Sequence, residues 1–329
     1  MQQSSKSSIR QIFNKFSLVF ILIGFMIVCS LVSPHFLTPN NLINVLRQQS
    51  VVILLAFGEM TLIVSGMIDL ACGSVLALSG CVSIIVYKLV PNMPLAFAVS
   101  IATAVVCNML SAMMITRFKM PPFIATLAMQ TIGRGAALYI TGGQNIYNIG
   151  EYTSVGQGNF GIVPIPVIIM LLALAVMVYI MRYTRFGRST YAVGGNQMAA
   201  TAAGINANAI KVKAYLIHGV LVGVAAVVFM SRVNGGLPNG AQAYETDAIT
   251  ATIVGGTSFS GGAGTPFGTL MGALIVGFMN NVMNLLSIDS YIQQIVRGVI
   301  IACAVAIDIM SRSRQNYKRK ILKETDKAA

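Results

Sequence analysis

Nine stretches of this chain are predominantly apolar, at residues 16–34, 42–65, 70–88, 94–115, 122–141, 163–181, 211–230, 266–286 and 290–309. Each is near the ~20 residues that a helix needs to cross about 30 Å of hydrocarbon. Short turns separate them, many marked by proline: Pro34, Pro39, Pro91, Pro94, Pro121, Pro122, Pro164 and Pro166. The first stretch follows a basic segment, as a signal peptide would. It has full span length, however, and Ser33-Pro34-His35-Phe36 offers no small-residue cleavage site, so it reads as a retained first helix.

Charge placement corrects the count. Lys6, Arg10 and Lys15 precede the first stretch, and Arg312, Arg314, Lys318, Arg319, Lys320 and Lys323 follow the last. Basic flanks mark the cytoplasmic side, so both termini are expected there and the number of crossings should be even. The missing crossing is assigned to residues 247–262, which are apolar but short and end in a Gly/Ser run. Asp247, Gly255, Gly256, Gly261 and Gly262 then mark a broken span, since irregular backbone at membrane depth is tolerated only beside protein or a polar cavity. The predicted fold is an all-α polytopic membrane helical bundle of about ten spans, one of them short and broken near 247–262. It divides into a cytoplasmic tail at 1–15, a transmembrane domain at 16–309 with an inner loop at 182–210, and a basic cytoplasmic tail at 310–329. Arg117 and Lys119 fall inside, the outer loop at 142–162 has no Lys or Arg, and Arg182, Arg185, Arg188, Lys211 and Lys213 fall inside. Lys88 and, more weakly, Arg47 dissent from this topology by lying near the outer surface.

Composition agrees. Hydrophobic residues make up 56% of the chain and charged ones 9%, against about a quarter charged in soluble domains. Membrane lipid must therefore be the solvent for much of the surface. A formal charge of +13 would suggest nucleic acid in a soluble protein, but here the positions at segment ends assign it to orientation, and no nucleic-acid partner is expected. Trp is absent, so an interfacial aromatic belt would draw on the 11 Tyr and 15 Phe. Cys29, Cys72, Cys81, Cys107 and Cys303 are scattered, lack metal-ligand spacing and read as small apolar residues. No metal site is expected.

Ionisable groups in apolar surroundings carry more information, because each costs roughly 2.5 kcal/mol or more at the bilayer centre unless paired or wetted. Glu59 and Arg134 sit well inside apolar stretches; Glu59 reads either as lining a solute path or relaying protons, or as a buried ion pair with Arg134. Asp69, in a break between two stretches, is read as a helix cap or as part of that path. His218 is a lone histidine on an apolar helix and is expected to be hydrogen-bonded in packing. Asn280, Asn281 and Asn284, with Gln293 and Gln294 across the next turn, suit either a polyhydroxylated solute or interhelical hydrogen bonds. Glu59, Asp69, Gln130, Arg134, Asn280, Asn281 and Asn284 are together the candidate lining of a translocation path. Gly264, Gly268 and Gly272, and likewise Gly219 and Gly223, repeat every four residues as strips for close helix approach. The chain has no phosphate-binding loop, no His-Glu-x-x-His pair and no Gly-x-Ser-x-Gly turn, so it offers no catalytic residues and no ATPase of its own.

The inner loop is the most unusual stretch. Tyr183-Thr-Arg-Phe-Gly-Arg begins it; the chain is expected to turn at Gly194-Gly195, cap a short helix with Asn196, run through Ala199, Ala200 and Ala203, and stop at Gly204. A short, smooth helix of this kind is read either as a docking element for a soluble partner or as a surface connector. The loop resembles that of the ribose/xylose/galactose-type sugar permeases of bacterial ABC importers. The resemblance runs along nearly the whole chain: Asn40-Asn41-Leu42-Ile43-Asn44-Val45-Leu46, Met60-Thr61-Leu62 through Ile68-Asp69-Leu70 with Gly73-Ser74, Phe123-Ile124-Ala125-Thr126-Leu127 with Arg134-Gly135, Tyr244-Glu245 with Asp247-Ala248-Ile249, and Gly255-Gly256-Thr257-Ser258. Met67, Ala71-Cys72 and Glu59 depart from the family pattern. The resemblance implies a permease subunit in the bacterial inner membrane, paired with a second permease (as homo- or heterodimer), an ATPase with two nucleotide-binding modules, and a periplasmic sugar-binding protein. ATP and Mg would belong to that ATPase, with no cofactor on this chain. Arg185, Gly187, Arg188, Gly194, Gly195, Asn196, Ala199, Ala200 and Gly204 would form the ATPase-coupling loop. A proton-coupled secondary transporter using Glu59 and Asp69, or a related permease for a branched-chain amino acid, remain the alternatives.

Overall fold

The computed structural model describes residues 17–303, 305, 306 and 310; both expected terminal tails lie outside the described residues, apart from residue 310. The molecule is a helical bundle. Its elements are α1 (Ser17–Val32), α2 (Pro39–Val64), α3 (Cys72–Leu89), α4 (Met93–Thr116), α5 (Pro122–Thr141), α6 (Ser154–Gln157), α7 (Ile165–Tyr183), α8 (Arg185–Gly195), α9 (Gln197–Ala202), α10 (Ala207–Arg232), α11 (Tyr244–Val254) and α12 (Pro266–Leu285). A last helix, α13, covers residues 290–303. The proline turns act as expected: α2, α4, α5, α7 and α12 each have proline in the first helical turn, where its missing N–H leaves no helical bond unmade.

Among the described residues, six helices are long and apolar enough to cross a membrane: α2, α3, α4, α7, α10 and α12. The remaining expected crossings fall on shorter or more polar helices. α1 has 16 residues and α11 has 11, while α5 carries Gln130, Thr131 and Arg134. The broken span starts earlier than predicted, at Tyr244, which puts Asp247 inside the first turn of α11 instead of at its opening.

α2 is the axis of the bundle. It packs against α10, α11, α12 and α7, and from Gln49 to Val64 every residue is buried. α10 fits against α4 because two glycines admit the facing backbone. A Cβ on Gly219 would stand 2.9 Å from the Cα of Val105, and one on Gly223 2.5 Å from that of Ile101. The expected strip on α12 is shorter than its sequence spacing, because Gly264 precedes the helix at φ +156°. Gly268 and Gly272 do form a close face, set against Gly255 and Ala251 of the α11 end.

The outer loop is folded, not merely connecting. Residues 142–162 include a 3-10 turn at Gly150–Thr153, α6, and strand β1 (Asn159–Phe160), which pairs antiparallel with β2 (Val163–Pro164). Tyr152 is fully buried and shares a 2.9 Å hydrogen bond with Ser83, while Ser231 Oγ donates to the Tyr152 carbonyl at 2.6 Å. The two cations that dissent from the topology hold this loop. Lys88 Nζ donates to the Tyr147 carbonyl at 3.1 Å and Arg47 Nη2 to Asn159 Oδ1 at 2.7 Å.

Candidate functional site

Two helix breaks face each other within the bundle, and both end in the same backbone motif. At the end of α2, Met67 N–H donates to the Leu62 carbonyl at 2.9 Å and Gly66 takes φ +78°. At the end of α11, Thr257 N–H donates to the Thr252 carbonyl at 2.9 Å and Gly256 takes φ +85°. This is the six-to-one closure of a helix C-terminus, with glycine in the left-handed position. The glycine it needs at the first break is Gly66, so Met67 is free to be apolar.

The first break is held by buried ionisable side chains. Glu59 Oε1 accepts the Asp69 N–H at 3.1 Å, and Asp69 Oδ1 accepts the Ala71 N–H at 2.7 Å, which makes Asp69 the turn residue that starts α3. His218 of α10 reaches both carboxylates, with Nε2 3.1 Å from Asp69 Oδ2 and 3.9 Å from Glu59 Oε2. All three side chains are at most 1% exposed. Room for the imidazole comes from Gly58, where a Cβ would overlap His218 Nδ1. Tyr215, one turn earlier on α10, donates to the Ile68 carbonyl at 2.8 Å. His218 is thus the third member of a buried cluster of ionisable groups. The alternative pairing of Glu59 with Arg134 does not form.

Arg134 serves elsewhere. Its Nη1 donates to the carbonyls of Pro238 at 2.6 Å and Gly240 at 2.8 Å. It thereby fixes the loop before α11, in which Ala241 and Ala243 both adopt left-handed backbone at φ +53° and +64°. Such backbone is strained for residues with a Cβ and needs surrounding contacts to persist. Beside it opens a cavity of about 550 Å³ lined by Gln130, Thr131, Arg134, Asn239, Gln242 and Glu245 among others. Gln130 Nε2 donates to Glu245 Oε1 at 3.2 Å, while Glu245 Oε2 is buried with no hydrogen-bond partner among the described residues. Replacing Arg134 by Met strips the carbonyls of buried Pro238 and half-buried Gly240 of their donor, so a loss of about 1–3 kcal/mol is expected. Lys88→Met, at an exposed side chain, should stay within about 0.5 kcal/mol. Thermal unfolding in detergent checks this pair, and equal tolerance at both positions would contradict the role of Arg134.

The other candidate path residues do not reach that cavity. Asn281 and Asn41 exchange hydrogen bonds at 2.9 Å between α12 and α2. Gln293 Nε2 donates to Asn284 Oδ1 at 2.8 Å, and Arg297 of α13 lies 3.4 Å from Asn280 Oδ1 and 3.3 Å from Asp247. The amide cluster is therefore interhelical bonding joining α2, α11, α12 and α13. Glu59 and Asp69 likewise stand apart from the cavity, so the expected lining separates into three places.

The inner loop holds two helices, α8 and α9, and not the single short one expected. Gly194 and Gly195 are the last residues of α8, correcting the predicted turn, and the chain reverses at Asn196, whose Oδ1 accepts the Ala199 N–H at 3.0 Å. Gly204 closes α9 at φ +83°. Ala200 is buried beside Val193, Ala207 and Ile210, whereas Ala199 is exposed and Met198 is 82% exposed. The end of α8 lies between the two helix breaks. A Cβ on Gly194 would collide with the Val64 carbonyl, and one on Gly262 would come 2.7 Å from the Cα of Gly195. Gly262 N–H also donates to the Val64 carbonyl at 2.9 Å, and Tyr191 Oη to the Gly264 carbonyl at 2.7 Å. Burial raises the pKa of the Tyr191 phenol, which keeps it a donor there.

Sequence reasoning passed over Asn239, Gln242 and Glu245 as site residues and left His218 alone. Glu245 carried a signal, as an acid at the mouth of a broken apolar span. The partners of His218 are 159 and 149 positions away, and no spacing rule links them.

Comparison with known proteins adds the following. The family described as branched-chain amino acid transport system / permease component matches residues 41–305. The chain is 40% identical over 295 residues to the ribose import permease protein RbsC of Bacillus subtilis, covering 88% of this chain and 90% of that protein. It is 39% identical over 298 residues to RbsC of Escherichia coli K12, covering 89% and 92%. With the D-allose transport system permease protein AlsC of Escherichia coli K12 it shares 33% identity over 300 residues, covering 90% and 91%. No solved structure matches the chain significantly.

Proposed function

Because the chain belongs to the family of branched-chain amino acid transport system permease components, we propose that it is the permease subunit of an ATP-driven, binding-protein-dependent importer whose cargo is a monosaccharide. The relatives named for ribose and allose import support that cargo. So does the chemistry of the cavity beside Arg134, where Gln130, Asn239 and Gln242 offer amide donors and acceptors to hydroxyl groups. A branched-chain amino acid would call instead for an apolar pocket to hold its side chain.

The observation that carries the reading is the position of α8 and α9. α9 presents the exposed pair Met198 and Ala199, and just before them the end of α8 makes the glycine contact at Val64 and Gly262 where both helix breaks meet. In our reading, a partner ATPase grips α9 and its closure pushes α8 against the two breaks, so that the spans change which side of the cavity is open. The bundle makes ten crossings with both termini in the cytoplasm, of which α1, α5, α11 and α13 are the shorter or more polar ones. A second permease, an ATPase with two nucleotide-binding modules and a periplasmic sugar-binding protein complete the importer in the bacterial inner membrane.

Reconstitution of this chain with its ATPase and binding protein in liposomes tests both parts. ATP-dependent uptake of labelled ribose or allose, without uptake of labelled leucine, is the expected result; leucine uptake alone would reverse the cargo assignment. Ala199→Trp places a bulky ring on an exposed helix face and should abolish ATP-driven uptake while leaving the unfolding temperature unchanged. Normal uptake by that variant would remove α9 from the docking surface.

A further inference from the structure

At the end of the bundle that carries the basic inner loop, a second cavity of about 610 Å³ opens between α7, α8 and α12. Its walls combine two chemistries. Val178, Met181, Pro266 and Phe267 supply an apolar floor, and Arg182 and Arg188 supply two cations at the rim. Both arginines are exposed, and neither forms an ion pair with an acid among the described residues. Arg188 Nη1 donates only a 3.4 Å bond to the Tyr183 carbonyl, while the Arg182 guanidinium lies 5.5 Å from the Tyr183 ring centroid. Two unneutralised cations beside an apolar wall call for an amphipathic anion.

The surface leading to the cavity is apolar as well. Leu171, Ala175, Val178 and Arg182 follow one another at steps of four, three and four, so they form one stripe along α7. Leu171 is 48% exposed and Phe267, across on α12, is also 48% exposed. α7 is among the apolar, least buried of the spanning helices, which places this stripe against acyl chains. The stripe therefore descends from hydrocarbon to a pair of arginines at the level where lipid phosphates lie.

We infer that this cavity is a binding site for an anionic phospholipid, whose phosphate is held by Arg182 and Arg188 and one acyl chain by the stripe from Val178 to Leu171. Basic pockets between spanning helices on the cytoplasmic side favour acidic headgroups in this way. The bound lipid would fasten the end of α7 to α8 and to the start of α12, next to the contact of α8 with the helix breaks. The assignment rests on the membrane reading of the chain but not on its cargo, so a failure of one leaves the other standing.

Native mass spectrometry of the purified full-length chain tests it, with added phosphatidylglycerol or phosphatidylcholine of the same acyl composition. Phosphatidylglycerol should remain bound where phosphatidylcholine does not. The R182Q/R188Q variant should retain it about 30-fold less well, the factor that two surface cations together contribute, while R117Q/K119Q, with the same loss of charge elsewhere on the same face, should retain it as the unsubstituted chain does. Equal retention by R182Q/R188Q, or equal retention of the two lipids, would overturn the site. Competition by millimolar inorganic phosphate would also overturn it, since a free anion would then suffice. A photoactivatable phosphatidylglycerol on the unsubstituted protein gives a readout that needs no variant to fold. Cross-links in the peptides holding Val178 and Phe267 are expected, and their absence from both counts against the site.

Discussion

His218→Leu is expected to destabilise the bundle by about 3–5 kcal/mol, the cost of leaving a buried carboxylate without its partner. The substitution conserves bulk, so it creates no cavity to confuse the reading. What it removes is, among the described residues, the one group capable of positive charge that approaches Glu59 and Asp69, at 3.9 and 3.1 Å. The Glu59 carboxylate already accepts the Asp69 backbone N–H, which holds the two acids close together. Without the imidazole they face each other in a site that water does not reach. Thermal unfolding in detergent should show the loss. Glu59→Gln added to His218→Leu should recover part of it, because two carboxyl groups then no longer face each other. Additive behaviour in that cycle, or an unchanged midpoint for His218→Leu alone, would mean that the cluster contributes packing and not charge.

Gly194→Val should be the most damaging single change to the link between inner loop and helix breaks. The atoms in its way are backbone: the Val64 carbonyl, and Gly262 N at 2.7 Å. Backbone cannot rotate aside as a side chain can, so α8 must shift or the Gly262–Val64 bond must break. Overpacking of this kind costs about 1–3 kcal/mol, and ATP-driven uptake should fall to the limit of detection. Gly195→Val is the control, since a Cβ there meets open space. It should leave the unfolding midpoint unchanged and act only through the docked partner. If both variants melt alike, the wedge between the breaks is not what Gly194 is there to permit.

The spans were legible because their cause is local. A run of apolar residues long enough for the bilayer announces itself without reference to any other part of the chain. Proline turns, the Asn196 cap and the glycine stop at Gly204 were legible for the same reason, each depending on a few neighbouring residues. The broken segment near 247–262 also showed itself, through the parity of basic flanks and its Gly-rich end. Its start was misplaced because Tyr244 and Glu245 are too polar to be read as part of an apolar run. The turn predicted at Gly194-Gly195 failed differently. Glycine pairs usually mark reversals, but here they finish a helix, and their lack of side chains serves the approach of Val64 and Gly262.

The candidate site divides along the same line. Sequence alone determined that Glu59, Asp69, Arg134 and His218 must be compensated, because charge or strong polarity among apolar residues is costly wherever it sits. Which group compensates which is a matter of three-dimensional adjacency. Only the tertiary structure sent Arg134 to two carbonyls, joined His218 to Glu59 and Asp69 across about 150 positions, and bound Asp247 to Arg297. Only it drew Gln130, Gln242 and Glu245 around one cavity while turning the asparagines of α12 toward other helices. The physical reason is that burial is paid for locally, residue by residue, whereas pairing is decided by which helices pack, and that depends on side chains far apart in the chain.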